Sequence, residues 1–174
     1  MRTTLDHLFR IDAPWIYVGH GEPERTKWNA AHFYSREGIN VCVRRLRGKK
    51  MRTTAGLMNE FGAALQFFDG FGENWHALGE CLSYLDEWLP ADCYILVVEN
   101  AEELLRDENA AQMVALLQTL HEAAEWWCKP IADNDRFNRN AAPFHVLLNA
   151  ENTETSVVDR ICQIAAEAEV PVRR

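Results

Sequence analysis

The run Cys93-Tyr94-Ile95-Leu96-Val97-Val98 carries no charged or amide side chain at any position. Successive side chains of a strand point to opposite faces, so a strand-length run without polar alternation must be covered on both sides. That condition is met inside a parallel sheet flanked by other layers, and parallel neighbours need crossover segments long enough to hold helices.

Such segments lie on both sides of the run. Ile39 to Leu46 reads as a strand with Ile39, Val41 and Val43 on one face, closed by the turn Arg47-Gly48-Lys49-Lys50. Thr53 or Thr54 can cap a helix carrying Leu57, Met58, Phe61, Ala64 and Leu65 at helical spacing and ending near Phe67. Asn74 can cap a second, with Trp75, Leu78, Cys81, Leu82 and Leu85 in one stripe before Pro90, while His76 and Glu80 share another face. Beyond the run, Asn100 is placed to cap a short helix through Leu105, and Asn109 a longer one that Pro130 ends. The polar loop Ala132 to Ala142 leads into a third strand, Phe144 to Leu148, and Ser156-x-x-Asp159 opens a final amphipathic helix.

These elements predict an α/β fold: a three-stranded parallel sheet covered by helices in the order β-α-α-β-α-α-β, with an N-terminal extension and an additional C-terminal helix. The expected division is an extension over 1–37, a core domain over 38–149 and a helical extension over 150–174 packed on that domain. Pro14 to Val18 has strand character without an assignable neighbour, and Gly19 to Gly38 is a polar stretch rich in Gly and Pro.

No apolar run approaches the roughly 18 to 20 residues that cross a bilayer, and the first residues lack the apolar stretch of a signal peptide. A cytoplasmic protein without membrane contact is expected. The cysteines at 42, 81, 93, 128 and 162 are odd in number, widely spaced and set among apolar neighbours, and are read as reduced core residues. The net charge of −8 is unevenly distributed: residues 69–125 hold thirteen acids against Arg106 alone. Such a block repels phosphate backbones and attracts a basic protein, so direct nucleic-acid binding is not expected. A charge run of this kind also serves solubility. His76 with Glu80, and His121 with Glu125, stand one helical turn apart, but no further ligand or nucleophile pattern joins either pair. Neither metal, nor cofactor, nor catalysis is therefore expected.

The segment Phe71-Gly72-Glu73-Asn74-Trp75-His76-Ala77-Leu78-Gly79-Glu80-Cys81-Leu82 shows the pattern aromatic-Gly-Glu-Asn-x-x-Ala-Leu-x-acid-Cys-Leu. With the surrounding element order it resembles the barstar family of ribonuclease inhibitors over roughly Gly38 to Asn149. The resemblance implies a protein partner, a basic ribonuclease or toxin whose active site is occluded by this loop and helix, with Glu80 standing in for RNA phosphate. The implied partner-binding residues are Gly70, Phe71, Gly72, Asn74, His76, Gly79, Glu80, Ser83 and Glu122. His76, Gly79 and Gly70 stand where the barstar pattern has an acid, a tryptophan and a tyrosine. A barstar-like interaction module with a regulatory or assembly partner is the alternative, and a small hydrolase or metal enzyme is disfavoured.

Overall fold

The computed structural model describes residues 6–20, 38–132, 138–151 and 155–174. Most of the polar stretch expected between Gly19 and Gly38, and the middle of the loop between Ala132 and Ala142, lie outside the described residues. The elements are β1 (Ile16–His20), β2 (Val41–Arg47), α1 (Thr54–Leu65), α2 (Trp75–Ser83), β3 (Cys93–Glu99), α3 (Ala110–Trp127), β4 (Phe144–Ala150), α4 (Thr155–Glu167) and β5 (Val172–Arg173). Short 3-10 turns stand at Asp6–Phe9, Gly48–Lys50, Leu85–Glu87 and Ala101–Glu103.

The class is α/β with a parallel sheet, but among the described residues the sheet has five strands rather than three, in the order β2-β3-β4-β1-β5. β1 pairs with β4 from Ile16↔Val146 to His20↔Ala150, and β5 adds Val172 and Arg173 beside Ile16 and Tyr17. β3 is buried along its whole length, as its unbroken apolar run requires, and β4 is nearly so. β4 therefore needed a neighbour on its far side, and β1 supplies it from the other end of the chain. β5 has two residues, too few to carry an alternation pattern.

A second correction concerns the segment after β3. Asn100 stands at the N-cap position of a 3-10 turn, Ala101–Glu103, that stops short of Leu105, and it adopts the left-handed conformation (φ 53) there without a side-chain capping bond. Asn tolerates this conformation better than other side chains. Its Nδ2 donates to Glu151 Oε2 at 2.6 Å, while the amides of Leu105 and Asp107 donate to the carbonyls of Met51 and Arg52. Those long-range bonds replace the ladder a helix would have needed, so α3 is the one α-helix among the described residues of the β3–β4 connection.

The helices α1 to α4 join one core cluster with the strand residues Ile16, Val18, Cys42, Leu46, Tyr94, Leu96, Val98, Phe144, Val146 and Leu148. The opposite parity, Cys93, Ile95, Val97 and Leu147, clusters with Leu8 of the first 3-10 turn. Three cysteines are buried, Cys128 and Cys162 are half-buried, and all five are free thiols. Burial pushes the Cys93 thiol up to about 12.

One ion pair fixes α1 on β2. Glu60 is buried and accepts from the Arg47 backbone amide at 2.9 Å and from its guanidinium Nε and Nη2 at 2.8 Å each. Burial pushes the Glu60 carboxyl up, but the Arg47 hydrogen bonds and charge outweigh it and hold the group below its ordinary value of 4.5. A depressed carboxyl stabilises the fold above its unfolded pKa and loses that contribution as pH falls through the folded one. Glu60→Gln is expected to lower unfolding free energy at pH 7 by about 1–2 kcal/mol, since Arg47 is half exposed and well solvated without its partner. Urea unfolding across pH should show the difference from the parent largest above about pH 5 and closing as pH falls below about 4.

Candidate functional site

The site residues sit where the chain enters α2. Asn74 caps the helix: its Oδ1 accepts from Ala77 N at 3.0 Å, and its Nδ2 donates back to Gly72 O at 2.9 Å. Gly72 matters here for space rather than for an unusual dihedral, because a Cβ there would lie 3.0 Å from Asn74 Nδ2 and would push on the capping side chain. The left-handed residue is its neighbour Glu73 (φ 47), a conformation that strains any residue with a Cβ. Phe71 anchors the loop with its ring 4.8 Å from that of Phe67. Beyond the cap, α2 buries Leu78, Cys81 and Leu82, which turns His76 and Glu80 outward, their side chains 3.6 Å apart.

α3 packs beside α2. Asn109 caps it through Ala111 N at 3.0 Å, and at its far end the indole of Trp127 donates to Leu82 O at 2.7 Å. Between the helices a hollow of about 350 Å³ is lined by Trp75, His76, Gly79, Glu80, Ser83, Tyr84, Thr119, Glu122, Ala123 and Trp126. A second hollow, of about 590 Å³, lies between α2 and the preceding loop, and its lining includes Phe68, Gly70, Phe71, Gly72, Glu80, Tyr84, Glu87 and Trp88. Glu80 and Tyr84 line both, forming a ridge between the two depressions.

The sequence-derived residues thus converge. Gly70, Phe71, Gly72 and Glu80 line one hollow; His76, Gly79, Glu80, Ser83 and Glu122 line the other; Asn74 lines neither and acts as the cap. Sequence reasoning missed the aromatic walls. Phe68, Tyr84 and Trp126 are three of the four exposed large hydrophobic side chains among the described residues. The Trp126-Trp127 doublet held the signal: adjacent helical residues point about 100° apart, so one indole in the core sends the other outward. Tyr84 likewise follows Glu80 by one turn.

The lining carries the carboxylates of Glu80, Glu87 and Glu122, and no Lys or Arg lines either hollow among the described residues. Beneath the ridge, burial first and the Glu80 charge second raise the Cys81 thiol, which keeps it protonated and unsuited to nucleophilic chemistry. No group of three or more His, Cys, Asp or Glu side chains among the described residues is placed to hold a metal ion. Chemically the surface can desolvate aromatic area around a fixed negative charge. Asn74→Ala, which leaves amides at the start of α2 without their acceptor, is expected to cost about 1 kcal/mol of stability in urea unfolding. A change below a few tenths would show that the cap does not hold the loop.

Residues 41–149 match the family model described as Barstar (barnase inhibitor). No curated protein matches. Among solved structures the chain is similar to the ORC2 protein of Aeropyrum pernix, solved in ADPNP–ADP complexes, with 14% identity and a TM-score of 0.57 over 98% of this chain and 43% of that one. The chain thus spans less than half the length of that neighbour, and the likeness is one of fold.

Proposed function

The chain belongs to the barstar family, and from that premise we propose that it is an inhibitor, acting in the cytoplasm, that binds a basic ribonuclease or toxin and occludes its active site. One observation carries the proposal: Glu80 stands exposed on a ridge between two aromatic-lined hollows whose lining, among the described residues, holds no cationic side chain other than His76 if protonated. A carboxylate so placed can enter a basic cleft and accept charge-assisted bonds, while aromatic area around it excludes water. Phe68, Tyr84 and Trp126 supply that area in the side-chain types that anchor interfaces. Glu80, Glu87 and Glu122, the acids of residues 69–125 that line the hollows, add a negative field that steers a basic partner toward them.

The departures at His76, Gly79 and Gly70 from the barstar pattern favour a target other than barnase. His76 lacks a charge that would meet a basic cleft, and the two glycines lack aromatic area. The same departures suit a family member whose surface serves a regulator or assembly partner.

Two measurements test the proposal. Glu80→Ala should weaken binding of the cognate nuclease by at least about 2 kcal/mol, roughly thirtyfold. Glu167→Ala, exposed on α4 and outside both hollows, should change it by under about 0.5 kcal/mol. Equal and negligible losses would remove Glu80 from the interface. In inhibition titrations purified barnase should be inhibited poorly; subnanomolar inhibition would refute the altered target.

A further inference from the structure

We infer that the segment leading into β1, from His7 to Asp12, is a pH-operated strap: neutral His145 holds it on the face of the sheet opposite the helices, and protonation of His145 releases it. α2 and α3 pack on the other side of the sheet, so this device is independent of the inhibitor reading.

β3 and β4 turn Cys93, Ile95, Val97 and Leu147 to that face, and these four cluster with Leu8 rather than with α1 to α4. His145 shares their parity, two residues before Leu147 and in register with Ile95. Among the described residues outside the sheet, Leu8 and Phe9 are what the cluster packs against. Leu8 and His145 are both fully buried. The strap touches the sheet at three points. The His7 ring lies 4.8 Å from that of Tyr17, which in turn lies 5.7 Å from the His145 ring. Cys93 Sγ reaches Leu8 O at 3.6 Å, and His145 Nε2 donates to Arg10 O at 2.8 Å.

A carbonyl can only accept, so the bond to Arg10 fixes the ring proton on Nε2 and leaves Nδ1 bare. Nδ1 is buried and makes no hydrogen bond. A second proton has to go there, which places a full charge in an apolar cluster. Burial disfavours that charge most. The Arg10 carbonyl pulls the other way, His7 adds to the lowering, and Trp15 and Asp12 oppose it without restoring the ordinary 6.5. The Trp15 carbonyl already accepts from Val146 N at 2.9 Å, and Asp12 is exposed. Of the other groups on this face, Tyr17 and Cys93 are held neutral by burial, and Arg173 stands beside Tyr17 on β5. Once the strap leaves, the ring meets water and titrates at its ordinary value. Closure is therefore at full strength above about pH 6.5 and weakens by up to about tenfold for each unit below it. Release solvates the imidazolium and uncovers Cys93, Ile95, Val97 and Leu147.

Cys93 lies under the strap and Cys42 is buried on the helix side, so the two thiols separate strap release from general unfolding. The test follows modification of each by dithiodipyridine in the full chain, read by peptide mass and normalised at each pH to the urea-unfolded chain. Between pH 7.5 and pH 5.5 the Cys93 rate should rise at least about fivefold while that of Cys42 stays level. His145→Gln keeps a donor for Arg10 O but cannot take up a proton, and should abolish the rise. His7→Gln should retain it within about twofold. Leu8→Ala loosens the strap without touching the ring and should raise the Cys93 rate at least about fivefold already at pH 7.5, with Cys42 unchanged; it decides the matter where His145→Gln exposes Cys42 by failing to fold. A Cys93 rate level across pH, Cys42 rising in step with Cys93 in the parent, a folded His145→Gln protein that keeps the rise, a His7→Gln protein that loses it, or Cys93 as protected in Leu8→Ala as in the parent would each overturn the inference.

Discussion

The indole of Trp127 sets the geometry on which the binding surface depends. It is fully buried, so its N–H must find an acceptor inside the core, and it takes the Leu82 carbonyl near the end of α2. Its ring lies 4.7 Å from Tyr94 on β3, and the Arg139 guanidinium covers it at 4.0 Å from the ring centroid. Arg139 also donates to the carbonyls of Trp126 and Trp127 at 3.1 and 3.3 Å, where a cation suits the negative end of α3. One side chain thereby ties together two helices, the central sheet and the loop returning to β4. The spacing of Glu80 from Glu122, and with it the width of the hollow, follows from that junction.

The parts of the fold legible in the sequence were those whose signal is local. The unbroken run at β3 announced a strand covered on both faces, Asn74 and Asn109 announced caps, and the apolar stripes of α1, α2 and α3 named their buried sides. The parts that were not legible depend on distant partners. Residues 16–20 could be recognised as strand-like, but nothing near them specifies β4 as a neighbour. Asn100 has the side chain of a cap, yet Glu151, fifty-one residues away, claims its amide. The site behaved alike: the acid and the glycines could be placed by motif, while the walls from Tyr84 and Trp126 emerge only once α2 and α3 lie side by side.

Charge counting shows the same limit. The acid-rich stretch is offset by a basic one from Arg44 to Arg52, and folding pairs a part of each with the other. Arg45 pairs with Glu99 and Arg52 with Glu103 and Asp107, while Lys49 pairs with Glu151 outside the block. The acids of the block that bind the chain to itself are thus a different set from Glu80, Glu87 and Glu122, which face the hollows. Sequence records their sum; only the fold separates carboxylates that hold the molecule together from those available to another molecule.

The place of β1 between β4 and β5 bears on how this protein can be handled and rearranged. The stretch that matches the family begins at residue 41, after β1, yet β4 relies on β1 for the hydrogen bonds along one whole edge. A fragment cut to the matched stretch would expose a long apolar strand with a free row of amides and carbonyls, the arrangement that recruits strands from neighbouring chains. Trimming to the recognisable domain would therefore favour strand-swapped assemblies or aggregates. Supplying residues 16–20 as a separate peptide offers a way to close that edge again, which makes β1 a natural seam for splitting the protein into two complementing pieces.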